Sequence, residues 1–226
     1  LKPSEDTPLS ALALAYLGEK AGLPKGVFNV ITTNNPQNVG EILTKSLKIK
    51  KISFTGSSEV GKILIKQSSS TVKKLSMELG GNAPFIIFDD ADIDLAIEGL
   101  MLSKFRNSGQ TCICANRIYV QKRVYKSFLK KFIIKVKNLK VGSGLDPSVE
   151  IGPLINKDAT KKISKILDDA VSKRAKILLG GTKHNYGDNF VQPTIVTNIS
   201  DDMLICSTEI FGPVAAIYSF DDEKEI

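Results

Sequence analysis

Hydrophobic positions change their period repeatedly along this chain, and each change marks an element. Between residues 8 and 21, Leu9, Leu12, Ala13, Tyr16 and Leu17 recur at helical spacing. Gly22-Leu23-Pro24-Lys25-Gly26 interrupts that pattern. Residues 27–31 read as a strand, 36–47 as a helix with Val39, Ile42 and Leu43 on one side, and 51–54 as a short strand. A helix starting at Ser57, with Val60, Ile63 and Leu64 inward, and a strand over 72–79 complete this half. Strands separated by helices of this length predict βαβ units and a parallel sheet. Gly80-Gly81-Asn82 is the expected domain boundary. Beyond it, 84–88 is a continuous apolar strand. Asp92 can cap a helix carrying Ile93, Ala96, Ile97, Leu100 and Met101. A strand over 118–120 and helices over 124–136 and 156–172 follow. Strands over 176–179, 194–196 and 214–220 then form a second α/β layer.

Composition narrows the function classes. A hydrophobic fraction of 42% over 226 residues suits one large or two small globular domains. No apolar run is long enough to span a membrane. The formal charge of +7 comes from lysines scattered over helix faces and loops, not from a basic cluster with aromatics, so nucleic acid is not an expected partner. Three cysteines and one histidine give neither a disulfide framework nor a zinc set. This usage fits a reducing cytoplasm, and no metal is expected.

The chemistry concentrates in Phe105-Arg106-Asn107-Ser108-Gly109-Gln110-Thr111-Cys112-Ile113-Cys114. Cys112 sits among small, polar and amide-bearing neighbours, where a structural cysteine would sit among Leu, Val and Ile. A thiolate needs nearby donors and access, and this setting offers both. Upstream, Glu78-Leu79-Gly80-Gly81 places a carboxylate at a strand end beside two glycines that permit close backbone approach.

These two segments resemble the aldehyde dehydrogenase superfamily, in which the first Glu is the general base and the Cys the nucleophile. The separation from Glu78 to Cys112, 34 positions, fits. Glu209-Ile210-Phe211-Gly212-Pro213-Val214 is similar to the family segment that holds the nicotinamide ribose. Phe54-Thr55-Gly56-Ser57-Ser58-Glu59-Val60-Gly61 is similar to its pyrophosphate-side turn. The likeness runs from Lys2 to the last residues. It is nearest to the succinate-semialdehyde dehydrogenases, on Lys2-Pro3-Ser4-Glu5-Asp6-Thr7-Pro8, Ser103-Lys104-Phe105-Arg106-Asn107 and the run from Gln110 to Arg117.

The resemblance implies an α/β fold in which residues 1–80 are the C-terminal part of a Rossmann-like NAD(P)-binding domain and 81–226 an α/β catalytic domain. On that reading the chain is a portion of a longer protein. The family's oxyanion-hole Asn would lie upstream of residue 1, and a C-terminal tail is absent. The resemblance assigns Cys112 as nucleophile and Glu78 as base for the water that releases the acid. Lys2 and Glu5 would hold the adenine ribose, where a carboxylate favours NAD over NADP by repelling a 2′-phosphate. Gly56 and Ser57 would face the pyrophosphate, Leu79 and Phe211 the nicotinamide, and Glu209 its ribose. Arg106, six positions before Cys112, offers a forked pair of donors for the terminal carboxylate of a semialdehyde; a structural ion pair is the alternative. Cys114 could form a disulfide with Cys112 and silence it, or be an inert small residue. Cys206 is expected in the core. The implied reaction is oxidation of succinate semialdehyde to succinate. Glutarate semialdehyde, a broader aldehyde range and a non-catalytic relative are the alternatives. A homo-oligomer is expected for the full-length form, and no activity for these residues alone.

Overall fold

The computed structural model describes residues 1–226. They divide into two compact units, Leu1–Leu79 and Gly80–Ile226.

In the first unit, helix α1 (Pro8–Lys20) opens on a proline, whose fixed φ and missing N–H suit a first helical turn. It ends at Gly22, whose φ of +86° a side chain would resist. Helix α2 (Pro36–Lys45) is capped by Asn35, whose side chain accepts from Asn38 N at 3.1 Å. Strand β1 (Lys51–Gly56), helix α3 (Ser58–Ser68) and strand β2 (Lys74–Leu79) form the expected βαβ unit, with β1 and β2 parallel and Gly56 opposite Leu79.

Two expectations fail here. Residues 27–31 are not a strand: Leu1 N donates to Asn29 O and Ile31 N to Leu1 O, and a ladder needs more than one partner residue. Val60 and Ile63 are exposed, as are Leu9, Leu12, Tyr16 and Leu17 of α1. Two strands offer too little apolar surface to cover three helices within this unit.

The second unit is a five-stranded sheet in the order β3-β4-β7-β6-β5, comprising β3 (Pro84–Ile87), β4 (Arg117–Gln121), β5 (Lys176–Leu179), β6 (Thr194–Thr197) and β7 (Val214–Phe220). Only the β5–β6 pair is antiparallel. Side chains alternate across the sheet and split the core in two. Ala215 and Ile217 of β7 join Ile118, Val120, Leu100, Phe128 and Phe132, which brings helices α4 (Ile93–Phe105) and α5 (Lys122–Lys137) to one face. Val214 and Ala216 join Ile163, Ile166, Leu167 and Ala170 of helix α6 (Lys157–Ser172) on the other. Each fully buried aliphatic or phenyl group contributes about 1.5–3 kcal/mol.

Asp92 caps α4 as expected, its carboxylate accepting from Asp94 N and Leu95 N at 3.0 and 3.1 Å. The four-residue helix α7 (Leu204–Ser207) was not legible in the pattern. Cys206 lies on it half-buried, with Tyr218 Oη donating to its sulfur at 3.2 Å, so it lines the core's edge and not its centre. No helix is long and apolar enough to cross a membrane.

Candidate active site

Helix α4 delivers the chain to an unusual turn. Arg106 leaves the helix in an extended conformation, and Asn107, Ser108 and Gly109 then follow with φ of +52°, +58° and +74°. Consecutive left-handed residues cost about 1–2 kcal/mol each where a Cβ is present, so the surroundings must hold them. Ser108 Oγ donates to Gly152 O at 3.0 Å, and Ile155 N donates to Gln110 Oε1 at 2.9 Å. Gly109 presses against the chain near Gly212, where a Cβ would come within 2.2 Å of Gly212 O.

The product of this strain is the position of Cys112, exposed on a turn closed by Cys114 N donating to Thr111 O at 3.2 Å. The Cys112 N–H donates to no acceptor in the chain, so it remains free for an incoming group. Arg106 is exposed and makes no ion pair within these residues, which leaves its guanidinium unspent here.

A second cluster surrounds Glu209. Gly81 N donates to its Oε1 at 3.3 Å, and a Cβ on Gly80 would lie 2.1 Å from its Oε2. Gly80 must therefore lack a side chain for the carboxylate to sit where it does, while Gly81 serves it through its backbone N–H. Its loop is stapled by Asn116, a buried residue whose amide donates to Asn82 Oδ1 and, at 3.1 Å, to Thr208 O, and whose Oδ1 accepts from Ile210 N at 2.9 Å. Phe211 follows with φ of +55° and is partly exposed. Gly81 also faces the Cys112 turn: a Cβ there would stand 3.9 Å from Cys112 O.

Cys114 and Cys112 face different surroundings. Cys112 is exposed, whereas Cys114 is buried and its sulfur accepts from Lys104 Nζ at 3.3 Å. Lys104 itself is completely buried; burial holds its amine below the ordinary lysine range, against the opposing pull of Cys114 and Glu209. Sequence reading left Lys104, Asn82 and Asn116 without a role. The available signal for Lys104 was its phase, since it falls on the buried stripe of α4 after Ile97 and Leu100.

In the first unit, Lys2 Nζ pairs with Glu5 Oε2 at 3.3 Å and donates to Pro3 O at 2.6 Å. Glu5 lines a recess of about 250 Å³ with Ser4, Pro8, Thr32, Thr33 and Asn34. Ser57 caps α3 by accepting from Val60 N at 3.3 Å, which puts Gly56 and Ser57 at a helix N-terminus suited to an anion. Glu78 is exposed on β2 opposite Thr55, and Leu79 fills the space above Gly61. This unit thus offers a carboxylate acceptor in a recess and, separately, a capped helix start whose free N–H groups suit an anion. No group of three or more His, Cys, Asp or Glu side chains is placed to hold a metal ion.

Known proteins resemble this chain over its whole length. The model of the aldehyde dehydrogenase family matches residues 1–226. The mitochondrial succinate-semialdehyde dehydrogenase of Oryza sativa subsp. japonica is 54% identical over 225 residues, covering 100% of this chain and 42% of that protein. The glutarate-semialdehyde dehydrogenase of Pseudomonas aeruginosa is 49% identical over 226 residues, covering 100% of this chain and 47% of its own length. A crystal structure of succinate-semialdehyde dehydrogenase from Burkholderia pseudomallei superimposes with a TM-score of 0.97 at 49% identity, over 99% of this chain and 46% of that one. The chain spans less than half the length of the curated relatives it matches. With a family model matched from the first residue to the last, and solved relatives of the same fold at about half identity, the chain belongs to the aldehyde dehydrogenase family.

Proposed function

We propose that these residues are the central portion of an enzyme that oxidises succinate semialdehyde to succinate with a nicotinamide cofactor, residues 1–80 serving the cofactor and 81–226 the aldehyde. The observation that carries this reading is Cys112, exposed on a strained turn with a free backbone N–H, six positions after an unpaired arginine. Relatives named for succinate semialdehyde, glutarate semialdehyde and 3-sulfolactaldehyde support it, because each name denotes an aldehyde bearing an acid group.

Cys112 adds as thiolate to the aldehyde carbon, forming a thiohemiacetal. Its own N–H donates to the oxyanion that develops. Arg106 takes the distal carboxylate with two parallel donors and so fixes which aldehydes are held for attack. When bound, the nicotinamide cofactor supplies the acceptor for the hydride whose loss turns the Cys112 adduct into a thioester. Glu78 then removes a proton from the water that cleaves the thioester. Glu209 and Phe211 hold the nicotinamide end, with Leu79 as a backbone contact. Gly56 and Ser57 receive the pyrophosphate. Glu5 accepts from the adenine ribose hydroxyls and favours NAD, while its pairing with Lys2 moderates the penalty on a 2′-phosphate. Relatives about 50% identical are named as NADP(+) enzymes, which supports acceptance of both cofactors.

The test is steady-state kinetics of the full-length enzyme with succinate and glutarate semialdehydes against simple aliphatic aldehydes, using both cofactors. Cys112→Ser should abolish turnover. Arg106→Leu should erase the preference for acidic aldehydes; unchanged discrimination would remove the basis for the substrate assignment. A preference for glutarate semialdehyde is the second reading, favoured by the relative of that name.

A further inference from the structure

Lys104 is the largest completely buried polar side chain of the structure, and its amine has a single hydrogen-bond partner, the Cys114 sulfur at 3.3 Å. The two residues stand ten positions apart, Lys104 in the last turn of α4 and Cys114 just beyond the Cys112 turn. Between them lie Arg106, the left-handed run from Asn107 to Gly109, and Cys112. One position earlier and one later, Ala115 N donates to Ser103 Oγ at 3.2 Å, a second rung across the same opening. The Cys114 sulfur also lies 3.6 Å from Lys104 O and 3.5 Å from Ala115 O, so its thiol proton has a carbonyl within reach.

We propose that Lys104 and Cys114 form a buried clasp that closes the catalytic loop, and that Lys104 is a positioning residue for Cys112 and Arg106. The pair is suited to the interior because the sulfur gives the buried amine a hydrogen-bond partner, which offsets part of the cost of taking it out of water. Volume alone would be served better by Met or Leu, which fill the same stripe of α4 without the cost of desolvating an amine. The amine does what they cannot: it ties the exit of the loop to its entrance. The left-handed residues inside the loop would otherwise relax towards ordinary backbone angles and carry Cys112 with them. The clasp acts through Cys112 and rests on its assignment as nucleophile.

The experiment compares Lys104→Met, Cys114→Ala, the double variant and Cys114→Ser in the full-length enzyme. Two quantities are read: kcat and KM for succinate semialdehyde, and the rate at which iodoacetamide alkylates Cys112, followed by peptide mass. Each single variant should lower kcat about tenfold or more, because small misplacements of a nucleophile are costly, with KM changed much less. The double variant should be no worse than the poorer single one, since both break the same clasp. Cys114→Ser, which keeps an acceptor for the amine, should recover most of the loss. Alkylation rates should follow the same order. Losses that multiply in the double variant overturn the proposal, as does a Cys114→Ser enzyme as poor as Cys114→Ala. If Lys104→Met fails to fold, the Cys114→Ala and Cys114→Ser pair decides alone. Alkylation reads the loop without turnover, so a surviving Cys112→Ser activity, which would sink the nucleophile assignment, remains a separate result.

Discussion

Replacing Gly80 by alanine separates the construction of the cofactor site from the stability of the fold. The new Cβ would meet the Glu209 carboxylate first, at 2.1 Å from Oε2, 2.7 Å from Cδ and 2.9 Å from Oε1. Gly80 has no left-handed φ, so alanine brings no backbone strain. The carboxylate must retreat from 2.1 Å to the 3.4 Å at which ordinary contact begins, by about 1.3 Å. It is the far end of a flexible side chain, so the fold should lose less than about 1 kcal/mol. The site loses more. A carboxylate displaced that far gives up its bond from Gly81 N and its proposed bonds from the nicotinamide ribose. Hydrogen bonds to a charged group contribute about 1.5–3 kcal/mol each, or about ten- to hundredfold in cofactor KM. Steady-state kinetics against cofactor concentration, with urea unfolding alongside, reads both quantities. In a Glu209→Ala background, Gly80→Ala should add nothing. An unchanged cofactor KM, or an equal cost without the Glu209 side chain, would refute the reasoning.

Gly109→Ala should behave in the opposite way. There the φ is +74° and the clash is with backbone, 2.2 Å from Gly212 O, so strain and overpacking together should cost about 3 kcal/mol or more in urea unfolding. Asp169 sets an acid dependence. Leu204 N donates to its Oδ2 at 2.7 Å and Lys173 pairs with its Oδ1 at 2.9 Å, which holds its carboxyl below the usual carboxylate range, the backbone bond contributing most. Because the folded pKa is depressed, the stability it contributes is fully present above the unfolded value of about 4 and is lost as pH falls through the lower folded value. Asp169→Asn should therefore unfold with a flatter acid limb than the parent below about pH 4, as followed by circular dichroism.

The family and the candidate residues were legible in order and spacing. Cys112, Glu78, Arg106 and Glu209 stand out because the roles proposed for them need particular residue types; the first three prove exposed and Glu209 half-buried. The helices expected from residue 36, Ser57, Asp92 and residue 156 start within a residue of those positions, and the structure shows Asn35, Ser57, Asp92 and Asn156 capping them. Where local pattern carried no tertiary information, reading failed. Residues 27–31 have a strand's composition and no ladder to join. Val60 and Ile63 have a helix's inward phase and no surface to face within their unit.

Residue identity and period determined the αβ alternation, the boundary near Gly80 and the inventory of reactive groups, since these depend on neighbours a few positions apart. Tertiary structure alone decided what each of them meets. It put a carboxylate from position 209 on the backbone of Gly80 and Gly81, and it buried an amine from position 104 against the sulfur of Cys114. It also left the backbone N–H of Cys112 without a partner. The reason is physical: burial, close approach and hydrogen-bond satisfaction belong to pairs of groups far apart in the chain, such as Gly81 and Glu209, 128 positions apart, and no local period encodes them.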